Sequence, residues 1–123
     1  MTNLLTNLWT ARVLAIVGLL AGYIPIAATF DHIGDGQFVL IDSSVHSWYH
    51  FFREGVADLT ASAVILFIMF AAPKYRNPAL WWVMLITMFG LYAPFWGAEI
   101  AHLQMAVPAL LGCFLAKKHY FNT

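Results

Sequence analysis

Two imidazoles and two carboxylates recur at four-residue intervals in this chain: His46, His50, Glu54 and Asp58. Residues four apart on an α-helix are neighbours one turn along, and each step of four rotates by about 40° because a turn holds about 3.6 residues. The spacing therefore predicts one gently winding row of titratable groups on a single helix. Such a row can bind a metal ion, transfer protons or contact a neighbouring subunit.

Glu99 and His102 form a second pair with Glu-x-x-His spacing, which also brings both side chains to one helix face. This spacing recurs in helical bundles that hold two metal ions, where the pairs project inward. Imidazole and carboxylate together suit zinc, iron, copper or manganese. The sequence therefore predicts a divalent or redox metal ion, with copper, iron and zinc as candidates, and five ligands: His46, His50, Glu54, Glu99 and His102.

Three other interpretations of the same residues stay open. The row can be a polar cluster that seals a contact with another subunit. His50 and Glu54 can be metal-free acid and base groups, because imidazole and carboxylate in a partly desolvated pocket are suited to proton transfer. His50 and His102, on different helices, can also be axial ligands of a haem, which is the less favoured cofactor.

Residues His50–Gly55 read His-Phe-Phe-Arg-Glu-Gly. They resemble the His-x-x-x-Glu-Gly stretch of the membrane sterol isomerases related to the emopamil-binding protein, and the resemblance covers these six residues. It implies a lipid or sterol isomerase in which His50 and Glu54 shuttle a proton across a double bond, with Glu99 as a possible second acid.

The composition indicates which kind of fold must position these groups. The 123 residues are 62% hydrophobic and only 10% charged, whereas a soluble domain is about 25% charged. A small domain buries only about 60–70% of the surface that its unfolded chain exposes, so lipid is the expected solvent. The single cysteine, Cys113, excludes a disulfide framework and is expected to be a packing residue. No basic patch interleaved with aromatics is present, so we expect no nucleic-acid partner.

A membrane-spanning helix needs about 20 mostly apolar residues, and four such segments can be distinguished. Pro73 and the Asn77-Pro78 pair separate the middle two, because Pro ends one helix and suits the first turn of the next. The predicted fold class is an all-α membrane protein, a four-helix transmembrane bundle with a short outer loop between helices 1 and 2. Its single domain spans residues 1–123, with helices over about 8–30, 44–72, 79–95 and 97–116.

The charges divide between the two sides of this predicted bundle. The six acidic residues fall in or near the first and third connections, whereas five of the six basic residues fall near the termini or in the second connection. Because cytoplasmic connections are enriched in Lys and Arg, both termini are predicted to be cytoplasmic. The expected location is a bacterial inner membrane, with the His/carboxylate cluster at the extracytoplasmic end of helices 2 and 4.

The small size of the chain favours a role within a larger complex. Gly18 and Gly22 form a GxxxG match, which can be a contact between subunits or packing within the same bundle. The expected partners are membrane lipid and either further copies of the chain or other membrane subunits. The leading functional hypothesis is a metal-binding subunit of a redox or oxygenase complex. The isomerase and a structural accessory subunit are the alternatives, so the sequence leaves open whether the chain is an enzyme.

Overall fold

A computed structural model describes residues 3–34, 44–93 and 103–122, with side chains at 3–23, 27, 53–93 and 106–122. Four long helices make up most of this structure: α1 (Leu8–Gly34), α2 (Ser44–Met69), α3 (Pro78–Leu91) and α4 (Leu103–Ala116). A single further turn, α5 (Lys118–Phe121), follows α4, and short 3-10 turns cover Leu4–Thr6 and Pro73–Tyr75.

Local sequence explains where α1 and α3 begin. The Asn7 side-chain oxygen accepts a hydrogen bond from the Trp9 backbone N–H at 2.9 Å. The Asn77 side-chain oxygen likewise accepts from the Leu80 backbone N–H at 3.0 Å, and Pro78 occupies the first turn of α3. These oxygens satisfy backbone N–H groups that have no partner within the helix.

The four helices form a ring in which each packs against its neighbours in the chain, and α1 closes the ring against α4. The core is built from large side chains of α2 and α3, with Ile65, Trp81, Met84 and Met88 fully or almost fully buried. The indole N–H of Trp81 donates to the Cys113 carbonyl at 2.9 Å, which links α3 to α4.

The contact between α1 and α4 depends on small residues. Ala11 and Ala15 of α1 are completely buried. A Cβ added at Gly112 of α4 would lie 2.5 Å from the Ala11 carbonyl oxygen and 2.9 Å from the Ala15 nitrogen, so only glycine fits there. Gly18 and Gly22 are also buried within the chain, which favours internal packing over a subunit contact for this GxxxG match.

The predicted transmembrane bundle requires correction. In the part of the chain that the structure describes, no helix combines the length and the apolar character that a membrane crossing needs. Helix α3 has 14 residues, which corresponds to about 21 Å, and a crossing needs about 20 residues. Helix α2 carries three charged residues, Arg53, Glu54 and Asp58. The predictions of a membrane fold, an inner-membrane location and two cytoplasmic termini are therefore wrong.

Candidate functional site

The helix that should carry the row of titratable residues is continuous. The backbone is α-helical from Ser44 to Met69, so His46, His50, Glu54 and Asp58 occupy successive turns of α2. Side chains are described for the second half of this row, Glu54 and Asp58, and those of the two histidines lie outside the described side chains.

Asp58 lies on the face of α2 that becomes the core farther along the helix. Ile65 and Met69 follow it by seven and eleven residues, a spacing that keeps all three on one face, and both are completely buried. Asp58 itself is half-buried, whereas Glu54, one turn earlier, is exposed. From its middle to its C-terminus, the core-facing row of α2 thus changes from a carboxylate to apolar side chains.

This position alters the acidity of Asp58. Burial, and next the negative charge of Glu54, raise the pKa of the Asp58 carboxyl from 3.8 to about 6. The nearby hydroxyls are engaged with the backbone, because Ser62 donates to the Asp58 carbonyl at 2.9 Å and Thr60 donates to the Val56 carbonyl at 2.8 Å. A carboxyl that exchanges its proton near neutral pH is suited to acid–base chemistry.

The expectation of metal binding also requires correction. Among the described residues, no three His, Cys, Asp or Glu side chains lie together as a metal site would require. Only Glu54 of the five predicted ligands has a described side chain; His46, His50, Glu99 and His102 lie outside the described side chains. The described part of the chain therefore gives no support for a metal-binding classification.

Large apolar side chains cover the outside of the helices. On α1 they form one row at Trp9, Val13, Val17 and Leu20, whose exposed fractions are 61%, 55%, 48% and 66%. The same pattern recurs on the other helices, where the exposed large hydrophobic residues are Val56, Leu59, Leu66, Phe67, Trp82, Val83, Ile86, Phe89, Val107, Leu111 and Phe114. We call these surfaces the outer apolar faces.

The inner face of α1 has the opposite character. Ala11, Ala15, Gly18 and Gly22 are buried there, so the small residues point inward and the large apolar residues point outward. An apolar patch larger than a few hundred Å² is uncommon on a monomeric protein and marks a contact surface. The arrangement therefore indicates that something apolar covers α1 in the functional state.

The opposite end of α2 is closed by polar side chains from three other segments. Arg12 donates from Nε to the Met69 carbonyl at 3.2 Å, and Arg76 donates from Nε to the Ala71 carbonyl at 2.9 Å. The Tyr120 hydroxyl donates to the Ile68 carbonyl. Cations and donors at a helix C-terminus satisfy its free carbonyls and interact favourably with the helix dipole.

Cations accumulate at this end, which we call the cationic end and define by Arg12, Lys74, Arg76, Lys117 and Lys118. The sequence contains no Asp or Glu in residues 1–30, 59–98 or 100–123. The Arg12 guanidinium lies over the rings of Trp9 and Phe70, at 4.8 and 4.7 Å from their centres. Burial and the charge of Arg76 lower the pKa of Arg12.

In the sequence, the basic residues of the cationic end served only to predict which side of a membrane each connection faces. The Nε2 atom of His119 lies 3.1 Å from the Thr6 carbonyl oxygen. The contacts of Arg12 and Tyr120 join residues more than 50 positions apart. The clustering of Lys and Arg beside helix ends was the one signal in the sequence that pointed to this region.

Comparison with known proteins identifies no relative. No protein-family model matches the chain, and neither a curated protein nor a solved structure is similar to it. The resemblance of His50–Gly55 to sterol isomerases therefore rests on those six residues alone.

Proposed function

We propose that this chain is a structural accessory subunit of a larger protein assembly, in which other chains cover its outer apolar faces. The observation that carries the proposal is the exposed row Trp9, Val13, Val17 and Leu20 on α1. Covering these side chains with another chain would stabilise the assembly by about 25 cal/mol for each Å² of apolar surface removed from water.

The distribution of the exposed residues favours an assembly over a single small ligand. Exposed large hydrophobic residues occur on α1, α2, α3 and α4, so one concave pocket could not cover them. Obligate protein interfaces are large and hydrophobic, and they resemble a domain core cut in two. A subunit in contact with several neighbours has this kind of surface.

Site-specific photo-crosslinking in the source cells tests the proposal. A photoreactive amino acid at Val17, which is 48% exposed in the centre of the α1 row, is expected to give a protein adduct of defined mass. The mass distinguishes a second copy of the 13.8 kDa chain from a different subunit. The matched control is the same amino acid at Asn122, which is exposed just after α5 and lies outside the outer apolar faces.

Two results would contradict the proposal. One is the absence of any protein adduct at both Val17 and Val13, while the chain is folded and present at its normal level. The other is capture of lipid in place of protein at these positions. Equal adducts at Val17 and Asn122 would indicate random collision and would also count against a specific assembly.

A second candidate function is metal-free acid–base chemistry on α2, and the raised pKa of the half-buried Asp58 favours it. In this proposal Asp58, Glu54 and His50 exchange protons with a bound substrate. Titration of the carboxyl carbons by NMR tests its premise, with Asp58→Asn used to assign the signal. A carboxyl that titrates near pH 6 supports it, and titration near 4 would remove its basis.

A further inference from the structure

An open groove lies at the cationic end, where the chain leaves α2 and turns into α3. Its volume is about 640 Å³, which falls within the range of about 300–1,000 Å³ that is typical of small-molecule sites. It lies beside the 3-10 turn Pro73–Tyr75, and its main lining residues are Phe67, Phe70, Lys74, Tyr75, Asn77 and Leu80.

The walls of the groove are largely apolar. Phe67 and Phe70, from the last turns of α2, form one side and are 77% and 42% exposed. Leu80, in the first turn of α3, is half-buried. A bound hydrocarbon chain would remove the apolar surface of these exposed rings from water, which stabilises binding by about 25 cal/mol per Å².

The groove also carries a positive charge at its rim. The Lys74 ammonium lies 4.8 Å from the centre of the Tyr75 ring, and both residues line the groove. Arg76 lies two positions further along the chain, and residues 59–98 contain no Asp or Glu. The groove therefore combines apolar walls with a positive electrostatic environment, which favours an anionic group.

We propose that this groove binds a single-chain anionic amphiphile of the fatty-carboxylate class. The hydrocarbon chain packs against Phe67, Phe70 and Leu80, and the carboxylate pairs with the Lys74 ammonium. A charge-assisted hydrogen bond is about twice as strong as a neutral one. The site is therefore expected to prefer a carboxylate head group over an uncharged one. Of the groove residues only Phe67 also belongs to the outer apolar faces, and the α1 row from which the assembly is argued does not line the groove.

Isothermal titration calorimetry on the full chain tests the site with two probes, dodecanoate and the uncharged dodecanol, both below their aggregation limits. We expect one dodecanoate per chain and about tenfold weaker binding of dodecanol, which corresponds to about 1.4 kcal/mol. The substitution Lys74→Gln should reduce the affinity for dodecanoate about tenfold and leave that for dodecanol unchanged.

Two further variants keep the test decisive. Lys118→Gln removes a cation from the same end but outside this groove, and it should leave both affinities within twofold of the wild type. Phe67→Asp alters a largely exposed residue, so it should fold and lose binding of both probes. The proposal is overturned by equal affinity for the two probes, by an equal effect of Lys74→Gln and Lys118→Gln, or by absence of saturable binding.

Discussion

The core-facing row of α2 carries the carboxylate of Asp58 near its middle and apolar side chains near its C-terminus. At the cationic end, Ile65 and Met69 are fully buried. Arg12 and Tyr120 close the helix by donating to its last carbonyls, and Arg76 donates to the Ala71 carbonyl just beyond it. Toward the other end, Asp58 occupies the same face as a half-buried acid. One end of α2 is therefore stabilised by satisfied polar groups, whereas the other retains a titratable group at a cost in stability.

The difference indicates a division of roles within one helix. Buried polar groups with partners contribute to stability, but a buried carboxyl with a raised pKa lowers stability when it is charged. Destabilising groups of this kind are concentrated at functional sites. The two ends can be altered separately, by overpacking the helix contact beside the first and by removing the carboxylate at the second.

The largest effect is expected from Gly112→Ala, where α4 meets α1 near the cationic end. The added Cβ would lie 2.5 Å from the Ala11 carbonyl oxygen, and only a backbone shift can relieve this contact. Overpacking in a close helix contact costs about 3 kcal/mol. Urea denaturation should show this decrease in the free energy of unfolding.

The matched control is Gly90→Ala, the same substitution in α3. A Cβ at Gly90 meets no atom within 4 Å, and alanine has a higher helix propensity than glycine by about 1 kcal/mol. Gly90→Ala should therefore leave the free energy of unfolding unchanged or increase it by up to about 1 kcal/mol. Equal effects of the two substitutions would disprove the close approach of α1 and α4.

A smaller loss is expected from Tyr120→Phe. The tyrosine is completely buried, and the substitution removes its hydrogen bond to the Ile68 carbonyl. That carbonyl also accepts from the Ala71 backbone N–H at 3.0 Å, so it does not lose every partner. We expect a decrease of about 1.5 kcal/mol in the free energy of unfolding. An unchanged value, measured by the same denaturation, would show that the hydrogen bond contributes nothing net.

Some features of the fold follow from local sequence. Asn77 and Pro78 mark the start of α3, and the four-residue spacing of His46, His50, Glu54 and Asp58 falls on a single helix. Helix ends were harder to predict: α1 continues to Gly34, beyond its predicted end at about residue 30. Local propensity is a weak guide there, because tertiary contacts add to it.

The length and orientation of the helices could not be predicted from composition. An apolar content of 62% favoured lipid, but composition does not specify helix length or which side chains point outward. The cationic end and its groove likewise depend on residues far apart in the chain, such as Arg12 and Met69. Features that depend on a local repeat could therefore be predicted from the sequence, whereas contacts between distant segments could not.

The titratable end should respond to Asp58→Asn with a gain in stability. The folded pKa of about 6 lies above the ordinary 3.8, so the protonated carboxyl contributes stability that is fully present below about pH 4. This contribution is lost as pH rises through about 6. At pH 7 the substitution should raise the free energy of unfolding by about 1 kcal/mol, after allowance for solvent screening of a half-exposed group.

The measurement is urea denaturation of both proteins at several pH values between 3 and 8. The difference between them should grow from near zero at pH 3 to its full value at pH 7, with most of the change between pH 4 and 6. The difference isolates Asp58, because every other titrating group is common to the two proteins. A difference that is constant with pH would contradict the raised pKa.

The smallest effect separates the two causes of that pKa shift. Glu54→Gln removes the neighbouring charge but leaves Asp58 half-buried, and burial is the larger cause. The pKa of Asp58, followed by NMR, should therefore fall but remain above 3.8. Glu54→Asp, which keeps the charge on the same turn, is the control and should preserve most of the shift. A complete return to 3.8 in Glu54→Gln would show that charge repulsion dominates. The half-buried position of Asp58 would then not be the cause of the difference between this part of α2 and the cationic end.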